Sequence, residues 1–183
     1  MSTNRVYSTA QQTNDALLNT AMLRLAAQPN AVFIGQNVEY DGNVVYRHME
    51  GVPDEQRMEM PVCEELQTGM AIGLALNGYL PISVYPRMDF LLRAADQLVN
   101  HLDKLALISN GQWDPKVIIR TRVGGTKPLN AGPQHTQDHT DAFRKMLKTV
   151  QVVRIQLPEE ILPIYEYAIE QDSSVIVVEA LID

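Results

Sequence analysis

Met60-Pro61-Val62-Cys63-Glu64-Glu65, continued by Leu66-Gln67-Thr68-Gly69-Met70-Ala71-Ile72-Gly73-Leu74-Ala75-Leu76-Asn77-Gly78 and then Leu80-Pro81-Ile82-Ser83-Val84-Tyr85, decides the fold of this chain. The middle segment is rich in small apolar residues and lacks proline, and Gly78 offers the left-handed conformation on which helices commonly end. The last segment is short and largely apolar, as strands are, with Pro81 tolerable near its start. A nearly apolar helix leading into a nearly apolar strand suits a parallel sheet covered on both faces. Glu64 and Glu65 stand where the helix begins, and acids there complement the positive end of its dipole. Glu64 also has a chemical reading. A carboxylate half buried beside a closely packing helix can exchange a proton with a nitrogen heterocycle.

The pattern extends in both directions. Thr9 to Ala27 reads as an amphipathic helix with Leu17, Leu18, Ala21, Met22 and Leu25 on one face, stopped by Pro29-Asn30. Ala31 to Ile34 is a wholly apolar strand, and the polar stretch Gly35 to Met60 reads as a long functional loop. Phe90 to Ile108 has helical spacing, and Lys116 to Arg122 holds the strand core Val117-Ile118-Ile119. Val123 to Gln137 is a second loop, followed by a helix over Asp141 to Lys148 and a strand over Val150 to Ile155. Pro158-Glu159-Glu160 opens a helix, and Ser174 to Val178 is the final strand. This alternation predicts one α/β domain over residues 1–183, a three-layer α/β/α sandwich with a mainly parallel central sheet. Both long loops follow strands, so they fall on the carboxyl rim where such sheets bind ligands.

Composition narrows the function. The net charge of -7, without basic runs, argues against a nucleic-acid partner. The single cysteine, Cys63, rules out an internal disulfide framework and suits a reducing compartment. The polar start Met1-Ser2-Thr3-Asn4-Arg5 is not a signal core, and no apolar window is long enough for a membrane span, so a cytoplasmic location is expected. There is no P-loop, Rossmann glycine fingerprint, nucleophile-elbow serine or paired-cysteine zinc spacing. His135 and His139 are four apart but lack the glutamate pattern of a metalloprotease, and no metal ligands are assigned. Cys63 reads as a small buried residue, not a nucleophile.

Taken in order, Pro61-Val62-Cys63-Glu64, Gly69-Met70-Ala71-Ile72-Gly73 and Gly78-Tyr79-Leu80-Pro81-Ile82 resemble the pyrimidine-binding domain of thiamine diphosphate enzymes. More narrowly, the chain resembles the N-terminal half of the beta subunit of 2-oxo acid dehydrogenase first components, the pyruvate and branched-chain types. Phe33-Ile34-Gly35-Gln36-Asn37-Val38, Ala95-Asp96-Gln97-Leu98-Val99-Asn100, Pro133-Gln134-His135-Thr136-Gln137-Asp138 and Val150-Gln151-Val152-Val153 match further family segments in register. The matches span nearly the whole sequence.

The resemblance implies thiamine diphosphate as cofactor and a thiamine diphosphate-binding fold of the pyrimidine-domain type. It makes Glu64 the catalytic glutamate that hydrogen-bonds the aminopyrimidine ring and shuttles its proton, which activates the thiazolium. It places Phe90 against the pyrimidine and points His135 into the active site for proton transfers. Gln36 falls in the cofactor site where relatives have a second glutamate, and the neutral residue removes a like charge beside Glu64. Arg87 departs from the family pattern and, with Met88 and His135, is a candidate to meet a substrate carboxylate or phosphate. Phe90 as core packing and Arg87 as a solvated or interface residue remain equally open. The family's Gly-Asp-Gly magnesium motif is missing, so the resemblance implies that the diphosphate-binding and C-terminal domains lie outside this chain. The expectation is a beta-like subunit of a split enzyme acting on a small-molecule 2-oxo acid. An alpha-like partner would bring the diphosphate site and the Mg²⁺ ligands, in an α2β2 heterotetramer. The alternatives are a transketolase-like or acyloin-forming carboligase subunit, or a non-catalytic scaffold of the same fold.

Overall fold

The computed structural model describes residues 9–126 and 130–181; the polar start and the tip of the second loop, residues 127–129, lie outside the described residues. Six strands form one all-parallel sheet in the order β2-β1-β3-β4-β6-β5. They are β1 (Ala31–Gly35), β2 (Arg57–Glu59), β3 (Leu80–Tyr85), β4 (Ile118–Arg122), β5 (Gln151–Ile155) and β6 (Val175–Glu179). The helices are α1 (Thr9–Ala26), α2 (Val44–His48), α3 (Glu64–Leu76), α4 (Met88–Leu91), α5 (Leu105–Ile108), α6 (Thr140–Met146) and α7 (Ile161–Glu170).

Alternation along the strands builds two cores. Phe33, Ile82, Val84, Ile118, Val175 and Val177 face one side, where Leu18, Met22 and Leu25 of α1 and Ile161 and Tyr165 of α7 cover them. Ile34, Tyr85, Ile119, Ile176 and Val178 face the other, under Ala71 and Ile72 of α3, Leu91 of α4 and Phe143 of α6. Buried side chains of this size each contribute roughly 1.5–3 kcal/mol by leaving water. The three-layer α/β/α expectation therefore holds.

Three elements differ from the sequence expectation. The long loop after β1 contains α2 and the short strand β2, which pairs with β1 through Phe33–Arg57, Ile34–Met58 and Gly35–Glu59. Its alternation is only three residues long, too short to read as a strand. The helix expected over Phe90 to Ile108 is broken into α4, a 3-10 turn at Leu92–Ala94, a π segment at Gln97–Leu102 and α5. The wider π winding still buries Leu98 and Leu102 against the second core. Cys63, expected to be buried, is exposed, because it precedes the first turn of α3 and leaves the burial to Glu64.

The sheet order fixes where a ligand can sit. β2 lies on one side of β1 and β3 on the other, so the chain reverses direction across the sheet at β1 and β3. A crevice beyond the carboxyl ends at such a switch point is the usual ligand site of an open parallel sheet. Here the two strands approach closely at Gly35. A Cβ there would collide with the carbonyl oxygen of Val84, which is why glycine ends β1.

Candidate active site at the switch point

The segment leaving β1 is held by a clamp. The Glu59 carboxylate at the end of β2 accepts the N–H groups of Asn37, Val38 and Glu39 at 2.7, 2.8 and 3.0 Å. Asn37 takes the left-handed conformation, φ 65°, which asparagine tolerates. The bend turns Gln36 inward, and its Nε2 donates to Glu64 Oε1 at 3.3 Å. Both residues are buried, with Glu64 only 6% exposed.

Glu64 is the first residue of α3, so its carboxylate sits beside the unpaired N–H groups of a helix start. A polar network below braces that turn. Thr68 Oγ1 donates to the Glu64 carbonyl at 2.8 Å and shares a 2.6 Å hydrogen bond with the Tyr85 hydroxyl. Ser83 donates to the same hydroxyl at 3.2 Å. Gln67 Nε2 ties the helix to the strands, donating to Ser83 Oγ at 3.0 Å, Val84 O at 3.0 Å and Ile34 O at 3.3 Å. Burial pushes the Tyr85 phenol up to about 12, so it stays neutral and serves as a fixed dipole. Glu64 Oε2 takes no hydrogen bond among the described residues. One carboxylate oxygen is thus positioned and the other is open to a ring N–H.

The second pair of sequence candidates also meets. Phe90 in α4 stands edge-on to the His135 ring, centroids 5.5 Å apart and planes at 87°. His135 Nδ1 is buried and without a partner among the described residues, so the ring keeps a polar atom unspent. Backbone packing sets this loop. Gly124 lies against the His135 carbonyl so closely that a Cβ would strike it, with Arg87 Nε next nearest at 3.3 Å. Asp89 holds the loop from below, accepting Gln137 N at 3.3 Å and Gln137 Nε2 at 2.9 Å. The Glu64–Gln36 and Phe90–His135 pairs make no hydrogen bond to each other among the described residues; both stand on the carboxyl rim.

Met88 is fully buried, its sulfur accepting His139 N at 3.3 Å, so within this chain it packs the loop instead of lining a surface. Arg87 is half buried, donates through Nη1 to Pro86 O at 2.9 Å and lines a cavity with Arg120 and Arg122. Asp138, beside His139, is engaged by Arg154 at 3.1 Å and by Thr140. Among the described residues no three His, Cys, Asp or Glu side chains converge to hold a metal.

Several contributors were not singled out from sequence. Ser83 and Tyr85 were hidden in a run that reads simply as strand, although a serine amid Ile82 and Val84 was a usable signal. Gln67 and Thr68 sit on the buried side of α3, where polar residues on an otherwise apolar face betray a network.

Residues 10–180 match the family described as the transketolase pyrimidine-binding domain. The chain is 29% identical over 155 residues to the chloroplastic pyruvate dehydrogenase E1 component subunit beta-3 of Arabidopsis thaliana, covering 82% of this chain and 37% of that protein. It is 30% identical over 124 residues to the 3-methyl-2-oxobutanoate dehydrogenase subunit beta of Mycobacterium tuberculosis, covering 65% of this chain and 34% of that protein. The chain thus spans about a third of the length of these two curated relatives. In solved structures the fold is similar to a split-gene transketolase described as an inactive beta4 tetramer, TM-score 0.67 at 17% identity, covering 93% of this chain and 51% of that one. It is also similar to the Campylobacter jejuni transketolase, TM-score 0.63 at 16% identity, covering 92% and 25%.

Proposed function

The chain belongs to the transketolase pyrimidine-binding domain family, and we propose that it is the beta-like subunit of a split thiamine diphosphate enzyme acting on a 2-oxo acid. The observation that carries this reading is the buried Glu64 carboxylate at the sheet's switch point, held on one oxygen by Gln36 and open on the other. A carboxylate so placed can take or give a proton at the ring nitrogen of a bound aminopyrimidine. Gln36 orients it without adding a second negative charge. Phe90 offers an apolar edge beside that ring, and His135 brings a ring nitrogen able to accept or donate a proton at a substrate oxygen.

Bound thiamine diphosphate would supply a nucleophilic carbon able to add to a 2-oxo acid carbonyl and carry the acyl unit after decarboxylation. The residues present suit the pyrimidine end of that cofactor. They do not suit the diphosphate end: the sequence has no Gly-Asp-Gly motif, and no acidic cluster converges among the described residues. The Mg²⁺ and diphosphate ligands would come from an alpha-like partner, with an α2β2 heterotetramer as the expected assembly. An active site closed between chains calls for a large, stable interface.

The test is co-expression with a Gly-Asp-Gly-bearing chain from the same genome, followed by gel filtration and calorimetric titration with thiamine diphosphate and Mg²⁺. Co-elution and cofactor binding by the pair alone are expected. A lone chain that binds the cofactor unaided, or a pair that never forms, contradicts the reading. A panel of 2-oxo acids, with and without aldehyde acceptors, separates a dehydrogenase or decarboxylase from a carboligase.

A further inference from the structure

The first turn of α3 carries Glu64, yet it lacks the side-chain cap that usually holds such a turn. Cys63 precedes the helix and makes no side-chain hydrogen bond to it, so nothing of that kind stops the turn from fraying. The Gln36 donor to the Glu64 carboxylate is long, at 3.3 Å. Where that carboxylate stands therefore depends on how firmly its own backbone is held.

Four side chains beneath the turn form a hydrogen-bonded chain with one direction. Thr68 Oγ1 gives its single hydrogen to the Glu64 carbonyl at 2.8 Å. It has none left for Tyr85, so in the 2.6 Å contact between the two hydroxyls Tyr85 is the donor. Burial above all pushes the Tyr85 phenol up to about 12, so below that pH the hydrogen is there to give. Tyr85 in turn accepts from Ser83 at 3.2 Å, and Ser83 accepts from Gln67 Nε2 at 3.0 Å. Ser83 and Tyr85 alternate along β3 and so share the face that α3 covers. The order is amide, three hydroxyls, then the carbonyl of Glu64. Hydrogen bonds aligned in one sense polarise one another, which strengthens the last link.

Packing alone does not call for these hydroxyls. Gln67, Thr68 and Ser83 are 0% exposed and Tyr85 is 1% exposed. Tyr85 belongs to the second core with Ile34, Met88 and Leu91. An apolar set of the same shape would be nearly as stable there, because buried hydrogen bonds replace bonds to water with little net gain. What the hydroxyls supply is a fixed endpoint on one peptide, that of Glu64.

We propose that Thr68, Ser83 and Tyr85 are positioning residues, whose hydroxyl chain stands in for the missing cap and fixes the turn from which Glu64 reaches an aminopyrimidine. They act through the backbone of Glu64, not on its carboxylate. The inference rests on the proton-exchanging role proposed for Glu64 above.

The test compares Thr68→Val, Thr68→Ser and the triple variant Thr68→Val/Ser83→Ala/Tyr85→Phe. The triple variant leaves no hydroxyl unpaired, and Gln67 Nε2 keeps Val84 O and Ile34 O as acceptors. Its unfolding midpoint should lie within roughly 3 °C of wild type. The first readout is amide hydrogen exchange by NMR on the full chain without partner or cofactor. The Gln67 N–H, which closes the first turn on Cys63 O at 3.0 Å, should exchange about tenfold faster or more in the triple variant, with the middle of α3 unchanged. The second is deuterium exchange at the thiazolium carbon in the cofactor-loaded pair. It should slow by roughly tenfold or more in Thr68→Val and in the triple variant, since small displacements of a reacting group are costly. Thr68→Ser, which keeps the hydroxyl, should restore most of the rate lost in Thr68→Val. A merely structural role predicts instead that the rate recovers with stability in the triple variant. That recovery, or unchanged protection of the Gln67 N–H, would overturn the proposal. Wild-type thiazolium exchange in Glu64→Gln would sink the role of Glu64 itself, and the amide protection would still decide whether the chain fixes its turn.

Discussion

At the residue scale, the decisive relation is between Glu64 and Gln36. The amide gives Glu64 a hydrogen bond without a competing charge. Gln36→Glu would set two carboxylates about a hydrogen bond apart, and two such groups resist ionising together. The variant in the paired enzyme should move the acidic limb of the pH–rate profile upward by roughly one unit or more. An unmoved profile would show that position 36 does not sense the proton on Glu64. Gly124 controls the other pair. Gly124→Ala must push back the His135 carbonyl, and a shift of about 1 Å in a catalytic group can cost on the order of a hundredfold in rate. The expected result is a large fall in kcat with a nearly unchanged unfolding midpoint, because the loop is peripheral to both cores.

At the element scale, β4 and β6 are joined by more than their ladder. Arg120 and Glu179 cross-link them on one face and capture Tyr165 of α7. Arg120→Met would strand the Glu179 carboxylate in the interior, a loss of about 3–5 kcal/mol by urea denaturation. The double variant with Glu179→Met should recover most of that loss, and equal destabilisation of the two variants would contradict the pairing. This cluster shows what sequence reading could and could not reach. The strands themselves were legible, because Val117-Ile118-Ile119 and Ser174 to Val178 are apolar enough to be covered on both faces. The pairing was not, because Arg120 and Glu179 are 59 positions apart and only the sheet order makes β4 and β6 neighbours. An arginine inside such a strand was nevertheless a signal of a buried counter-charge. Strand β2 and helix α2 were missed for a different reason, since three and five residues give no measurable period.

The candidate site divides in the same way. Glu64, Phe90 and His135 could be read from their ordered resemblance to the family, while the network beneath them could not. Thr68, Ser83 and Tyr85 converge from a helix and a strand, and their meeting depends on the depth at which α3 packs on β3. The clamp of Glu59 on residues 37–39 was equally hidden, because it needs the unrecognised strand β2 to present the carboxylate.

At the scale of the whole molecule, burial of ionisable groups sets how stability follows pH. Burial, and after it the charge of Arg120, lower the pKa of His48 below its unfolded value, despite the opposing Asp15. The unfolded chain therefore binds a proton first, and stability is complete above about pH 6.5 and falls as pH drops below it. Burial alone would raise Asp103, but Lys104 and the N–H groups of Thr149, Val150 and Lys148 outweigh it and hold the carboxyl well below the usual range. Its contribution is present above about pH 4 and is lost in stronger acid. Chemical denaturation across pH should show two successive declines on acidification. His48→Asn should flatten the first and Asp103→Asn the second; a slope unchanged in both variants would show that other groups control acid unfolding.

The role proposed for this chain is delivery of a proton-exchanging glutamate to an aminopyrimidine. That role is read most directly from hydrogen–deuterium exchange at the thiazolium carbon of bound thiamine diphosphate, followed by NMR in the reconstituted subunit pair. Glu64→Gln keeps the size and the helix position but removes the exchangeable carboxyl proton. Exchange should slow by roughly a hundredfold to ten-thousandfold, the range for loss of a positioned acid–base group, with cofactor still bound. Exchange at the wild-type rate in the cofactor-loaded Glu64→Gln pair would contradict it.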